Sequence, residues 1–277
     1  MPTDTLRLGA ELSVTTLCDA AGVFPEPLED AFPSLETSGH WSMHVHCQLV
    51  RAGSRVVLID TGIGPPWAPA GGWFARPAAL PEELAALGVD PKEITDVVLT
   101  HLHPDHLGWN VLGEDEVLPH FPNARHVVQA AELAWLREHG SEWEELYETH
   151  VVPLVESDLL VEVDGPTRLM DRIELILAPG HTPGHQCVLI DAPDRPLLVT
   201  GDAFVHTGQI EDPSLGYRYE REPEEAETTR RRLLSVAAQR GVLLAPAHLD
   251  DGILLVESAG KGRFRTTSMT RCPRFNG

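Results

Sequence analysis

Short apolar runs that each stop at a polar side chain recur along this chain, and they constrain its fold more than any other feature. Val56-Val57-Leu58-Ile59 stops at Asp60, and Val97-Val98-Leu99 stops at Thr100 and His101. Leu175-Ile176-Leu177-Ala178 stops at Pro179, Gly180 and His181. Leu197-Leu198-Val199 stops at Thr200, Gly201 and Asp202, and Val242-Leu243-Leu244-Ala245 stops at Pro246, Ala247 and His248. Runs of this length, rich in Leu and β-branched residues and bounded by Gly and Pro, predict buried strands. A buried strand ends where its backbone leaves the sheet, so side chains at such ends can converge on one rim.

Helices are predicted between the strands. Pro81–Leu87 opens with Pro-Glu-Glu and stops at Gly88. Gln129–His139 carries Leu133 and Leu136 at helical spacing and stops at Gly140. Pro223–Arg240 has Glu224, Glu225 and Glu227 in its first turns, arginines after them, and Gly241 as a stop. The alternation predicts an α/β fold whose helices cover sheets. No repeat or low-complexity linker interrupts the 277 residues, so one domain over 1–277 is expected. Pro65–Pro77 holds Trp67, Trp73 and Phe74 among glycines and prolines, which predicts a loop. Its aromatics either pin it to the core or face a substrate.

Histidine is the unusual residue, with 14 in the chain. His101-Leu102-His103-Pro104-Asp105-His106 puts four metal-competent side chains into six residues. Pro104 makes this a loop or a helix start rather than mid-strand. A loop can fold His101 and His103 onto one ion while Asp105 and His106 turn to another. Imidazole and carboxylate suit zinc, manganese or iron without any thiolate. Adjacent protonated rings would repel, so this density fits neutral rings held on a cation.

Charge excludes other classes. The net charge of −21 opposes both a nucleic-acid backbone and an anionic membrane surface. Lys261, Arg263, Arg265, Arg271 and Arg274 form a local basic exception, with no acid after Glu257. No apolar stretch approaches the ~20 residues of a membrane span, and Met1–Val14 does not read as a signal peptide. Cys18, Cys47, Cys187 and Cys272 are far apart and form no CxxC pair, which fits a reducing compartment. The expectation is a cytoplasmic protein with a small-molecule substrate and no nucleic-acid or membrane partner. The sequence is also compatible with a homo-oligomer.

The string His101-Leu102-His103-Pro104-Asp105-His106, followed by Pro179-Gly180-His181-Thr182-Pro183-Gly184-His185, Gly201-Asp202 and Pro246-Ala247-His248, resembles the metallo-β-lactamase-fold superfamily. Leu58-Ile59-Asp60-Thr61-Gly62 matches its usual strand and turn, and the resemblance runs from about Met43 to His248. It implies a four-layer αββα sandwich with the site along one edge of two sheets. By this resemblance His101, His103 and His181 would hold one metal, and Asp105, His106 and His248 a second. Asp202 would bridge them. The cofactors would be two divalent ions, zinc first, with manganese, cobalt or iron as alternatives. A metal-bridging hydroxide would be the nucleophile, and Asp105 and Asp202 would serve as catalytic carboxylates handling its proton. Asp60 and His185 match supporting positions rather than ligands.

Departures narrow the substrate. Zinc β-lactamases usually carry Cys or Ser at the Asp202 position, which argues against antibiotic hydrolysis. Glyoxalase II-like thioesterases add a helical C-terminal domain, for which the stretch after His248 is too short. Nuclease branches usually add a further domain. Gly201-Asp202-Ala203-Phe204-Val205-His206 and the helix after it look most like the lactonase and organophosphate-hydrolase branch. That branch often has a Tyr three residues after the bridging Asp. Val205 stands there in this chain, with His206 beside it as a substitute donor. Phe204, Val205, His206, Trp67, Trp73 and Trp109 are the candidate pocket residues. The expected reaction is hydrolysis of a small lactone or carboxylic ester. The alternatives are a thioesterase, or a mononuclear iron oxygenase of the same fold, similar to persulfide dioxygenases and using His101, His181 and Asp202.

Overall fold

The structure, a computed structural model, describes residues 5–272 apart from 115 and 194. In chain order the elements are β1 (Thr5–Arg7), β2 (Leu12–Val23), α1 (Leu28–Ala31), β3 (Ser42–Ala52), β4 (Arg55–Ile59), α2 (Leu80–Ala86), β5 (Asp96–Val98) and α3 (Pro104–Leu107). Next come β6 (Val111–Leu112), β7 (Leu118–Pro119), β8 (Arg125–Gln129), α4 (Ala130–Glu138), α5 (Gly140–His150), α6 (Val152–Glu156) and β9 (Leu160–Val163). The rest are β10 (Thr167–Met170), β11 (Ile173–Leu177), β12 (Gln186–Ile190), β13 (Leu197–Gly201), α7 (Thr207–Glu211), α8 (Pro223–Arg240), β14 (Leu243–Pro246), β15 (Asp251–Gly260) and β16 (Arg263–Arg271).

Two seven-stranded sheets result, in the orders β1-β2-β3-β4-β5-β8-β9 and β10-β11-β12-β13-β14-β15-β16. The chain forms two compact units, Met1–Ala20 with Val45–Asp164, and Ala21–His44 with Gly165–Gly277.

In the first unit β4, β5, β8 and β9 are mutually parallel, with Ile59 opposite Val98. Strands that run the same way end on the same edge. Asp60 after β4 and the Thr100–His101 pair after β5 therefore leave the sheet side by side. The core of this unit joins Leu58, Val97, Leu99, Leu102 and Leu107 to Leu80 and Leu84 of α2 and to Leu133 and Leu136 of α4. The helical spacing of those leucines is what turns α2 and α4 onto the sheet. Gly88, Pro65–Pro77 and Pro104 behave as the sequence predicts: a left-handed glycine past the end of α2, a stretch with no regular element, and a helix start.

In the second unit β11 is antiparallel to β12, and β12 is antiparallel to β13, so β11 and β13 point the same way. β14 lies parallel to β13. All three strands thus end on one edge, and His181, Asp202 and His248 follow their last residues by four, one and two positions. Leu233, Leu234 and Ala237 of α8 pack against Leu198, Leu244 and Leu254.

The basic stretch after Glu257 is a strand, not a loose tail. Lys261 sits in the β15–β16 turn at φ 53°. Arg263 pairs with Asp212 (2.7 Å), Arg265 with Glu257 (3.1 Å) and Arg271 with Asp251 (3.5 Å). Arg274 lies outside the described residues. Among the described residues no helix is long and apolar enough to cross a membrane.

Candidate metal centre

In the first unit, Asp60 organises the histidine motif. It sits at φ 57°, a left-handed conformation that Asp tolerates better than most residues. Its Oδ1 accepts the Thr100 N–H (2.7 Å), and its Oδ2 accepts the Thr100 hydroxyl (2.8 Å) and His106 Nδ1 (2.9 Å). Two consequences follow from proton counting. His106 carries a proton on Nδ1, so in the neutral ring the lone pair is on Nε2. Thr100 spends its one proton on Asp60, so its Oγ1 can only accept from His101 Nδ1, 3.1 Å away. His101 Nε2 is then bare as well, and it faces His103 Nδ1 at 3.0 Å. This is how metal-binding imidazoles are commonly set: an outer partner fixes the tautomer and the inner nitrogen keeps its lone pair.

Asp105 lies on the first turn of α3, with Oδ2 3.6 Å from His106 Nε2. His101, Asp105 and His106 are buried, and His103 is half-buried. Glu132 of α4, also buried, accepts the Leu102 N–H (3.1 Å) and so holds the backbone between His101 and His103.

In the second unit, the two oxygens of Asp202 address two different rings. Oδ2 is 3.3 Å from His181 Nε2, and Oδ1 is 2.9 Å from His248 Nε2. His248 Nδ1 donates to the His44 carbonyl (2.8 Å), so in the neutral ring the lone pair is on Nε2. His185 has both nitrogens committed. Nδ1 donates to the Ala178 carbonyl (3.0 Å), and Nε2 accepts the Asp202 N–H (3.0 Å). His185 therefore anchors the Asp202 backbone and has no lone pair left for an ion. The donors of both units, imidazole nitrogens with fixed tautomers and carboxylate oxygens, fit a divalent first-row cation.

The candidate pocket residues divide. Phe204 is fully buried in the core of the second unit, and Val205, 1% exposed, donates its N–H to Gln209 Oε1. These two pack rather than present surface. His206 is partly exposed and is the N-cap of α7. Its Nδ1 accepts the Gly208 N–H (3.0 Å), so the ring proton is on Nε2. Its ring lies 5.1 Å from Phe32 and 6.1 Å from Trp41. Phe32 stacks on Tyr217 at 5.0 Å, and Tyr217 lies nearly parallel to His181 at 6.1 Å. Burial lowers the His206 pKa, which favours the neutral ring. In the first unit, Trp67, Trp73 and Trp109 are all half-buried; Trp67 packs on His150 at 5.8 Å, and Trp109 near His120 at 5.9 Å.

Sequence reading missed Phe32, Trp41 and Tyr217 beside His181, and Glu132 behind Leu102. The aromatics come from three separate stretches, and no spacing links them. Glu132 acts on a backbone N–H, which leaves no trace in sequence.

Residues 41–248 match the metallo-β-lactamase superfamily profile, a span that runs through both units. N-acyl homoserine lactonase AttM of Rhizobium radiobacter is 32% identical over 151 residues, covering 48% of this chain and 50% of that protein. The probable metallo-hydrolase Rv2300c of Mycobacterium tuberculosis is 31% identical over 198 residues, covering 60% of this chain and 58% of that protein. The chain thus spans about half the length of the curated relatives it matches. Among solved structures, AidC, described as a dizinc quorum-quenching lactonase, superposes with a TM-score of 0.82 at 21% identity over 98% of both chains. AbOPH, described as a hydrolase of the β-lactamase superfamily, gives 0.78 at 21% identity, again over 98% of both chains. The α/β fold expected from the sequence, with the αββα organisation of that superfamily, is the fold found. The chain belongs to the metallo-β-lactamase superfamily.

Proposed function

We propose that this protein is a binuclear metal-dependent hydrolase that opens a lactone or cleaves a small carboxylic ester, and that residues 1–277 work as one domain. An N-acyl homoserine lactone is the first substrate to test, because AttM and AidC carry that activity in their names. In this reading His101, His103 and His181 serve one ion, Asp105, His106 and His248 serve the other, and Asp202 serves both. One observation carries it: His101, His106 and His248 each have Nδ1 bonded to an outer oxygen, which in the neutral ring puts the lone pair on Nε2, while the two oxygens of Asp202 face two different rings.

Two divalent ions, zinc in the first instance, would supply Lewis acidity for the acyl oxygen and a water acidified to a pKa of about 7. The protein's own groups do the rest. Asp60, His44 and Thr100 hold three rings in the binding tautomer. Asp105 and Asp202 take the proton released on attack and return it to the departing alkoxide. His206, with its donor on Nε2, offers a hydrogen bond to the substrate from the residue beside the position where lactonases often have a Tyr. Phe32, Trp41 and Tyr217 are buried and brace the His206 and His181 rings from behind.

The test is metal content and turnover on protein purified without added metal or a His tag. About two equivalents of a divalent ion per chain, with hydrolysis of N-acyl lactones or aryl esters, are expected. One equivalent of iron with oxygen uptake on sulfur substrates would overturn the hydrolase in favour of the oxygenase.

A further inference from the structure

Both ends of the loop between β4 and α2 are tied to one buried carboxylate. Asp19 of β2 is fully buried. It accepts the N–H of Ile63 (2.8 Å), where the loop departs, and those of Ala79 (2.9 Å) and Leu80 (2.7 Å), where it returns. A fourth bond comes from the Trp109 indole Nε1 (2.9 Å), just past α3. Three of these bonds fall on Oδ1 and one on Oδ2, close to the full capacity of an ionised carboxylate.

The site is built around that side chain. A Cβ at Gly62, which has φ +71°, would lie 2.1 Å from Asp19 Oδ2, so only glycine lets the chain pass. The loop stem is in turn bonded to the end of the histidine motif. Thr61 N donates to His106 O (2.7 Å), Gly108 N to Gly62 O (2.8 Å) and Trp109 N to Thr61 O (3.2 Å). Farther along, Trp67 rests on His150, whose pKa burial lowers to about 4, so the ring stays neutral.

We propose that Asp19 is a positioning residue: it clamps residues 63–80 and Trp109 into a fixed substrate-facing wall next to the histidine motif. The substrate-facing part rests on the hydrolase reading; the clamp itself does not. The clamp needs the ionised form, because a protonated oxygen must donate and cannot keep all four donors. Burial pushes the Asp19 carboxyl up to about 6, while the four donors oppose that rise. On β3 the neighbouring titratable group is Cys47, whose thiol burial pushes up further and keeps neutral; Asp60 also acts on that thiol.

The test is hydrogen exchange over residues 63–80 in Asp19→Asn, with lactone kinetics and metal content measured in parallel. Exchange there should speed by about tenfold or more relative to β4 and β5. KM for a long-chain acyl lactone should rise about fivefold or more, while kcat and metal content stay within about twofold. Unchanged exchange in the loop, or equal loosening of every element, would overturn the clamp. Should Asp19→Asn fail to fold, the unmodified protein decides. Its Ile63, Ala79 and Leu80 amides should exchange within about tenfold of those of β4 and β5, and fast exchange at all three overturns the proposal. If the protein cleaves no lactone at all, the hydrolase reading falls, yet the exchange result still decides the clamp.

Discussion

At the scale of single residues, the site is a problem in placing protons. A ring nitrogen binds a cation only when its proton sits on the other nitrogen, and here a carboxylate, a hydroxyl and a backbone carbonyl bond the outer nitrogens. His106→Ala should leave a folded protein that binds about one equivalent less metal and no longer hydrolyses; full activity in that variant would remove His106 from the ligand set. Asp60→Asn keeps the shape but turns an NH2 donor toward the donors at Thr100 and His106. Metal affinity should fall by about 10–100-fold, the usual cost of losing an outer partner, which competition with a chelating dye would read. Val205→Tyr tests a different point. The position after Asp202 where lactonases often carry a phenol is buried here, so a Tyr must overpack the core. It should lower stability by about 1–3 kcal/mol, with no gain in lactone kcat/KM. A gain in kcat/KM with unchanged Tm would show that the position opens onto the substrate.

At the scale of elements, strand direction and glycine decide where each ligand lands. Gly180 precedes His181 at φ +130°, and a Cβ there would lie 2.3 Å from the backbone of Ala226 in α8. Gly241 ends the same helix at φ +65° with nothing within 4 Å of its Cβ. The pair separates conformational cost from collision. Gly241→Ala should cost about 1 kcal/mol for the left-handed backbone alone. Gly180→Ala must move a helix N-terminus, so it should cost about 2 kcal/mol or more and weaken metal binding through His181. Urea unfolding and metal content of the two variants check this, and equal costs would mean that the α8 contact gives way freely. The elements that carry the proposed ligands were legible in the sequence because each is a buried run that must stop at a polar residue. Pro223–Arg240 was read to the residue, because acidic first turns and a terminal glycine punctuate it. β2, β3, β15 and β16 were not singled out. β15 is buried over Ile253, Leu254 and Val256 and exposed from Glu257 on, a mixed pattern with no clear period. Asp19 was invisible for a related reason: it bonds mainly backbone N–H groups more than 40 residues away, and such bonds select no partner residue type.

At the scale of the whole molecule, acid acts on buried histidines more strongly than on the surface charge. His126 of β8 is buried, and burial lowers its pKa to about 4; His150 at the end of α5 is held at about 4 for the same reason. Each pKa is depressed below the unfolded value of about 6.5, so the unfolded chain binds these protons first. The stability they withhold is absent above pH 6.5, grows as pH falls, and reaches its limit once pH passes the folded value near 4. That limit is about 3 kcal/mol for each ring as an upper bound. Asp19 works in the opposite sense. Its pKa is raised to about 6, so the folded state holds that proton more tightly and stability recovers part of the loss between about pH 6 and 4. His120 and His206, also lowered by burial, add to the loss and Glu220, raised by burial, offsets part of it, so a net fall is expected on the acid side. Denaturant unfolding from pH 7 to 4 should therefore show a steep loss, with His126→Phe flattening it and Asp19→Asn steepening it. His126 is the cleaner probe, because its Nδ1 bonds only the neighbouring Ala124 carbonyl and it takes no part in either ligand set. An acid limb with the same slope in His126→Phe would mean that the ring is already protonated in the folded protein, and the assignment of buried neutral histidines would have to be given up.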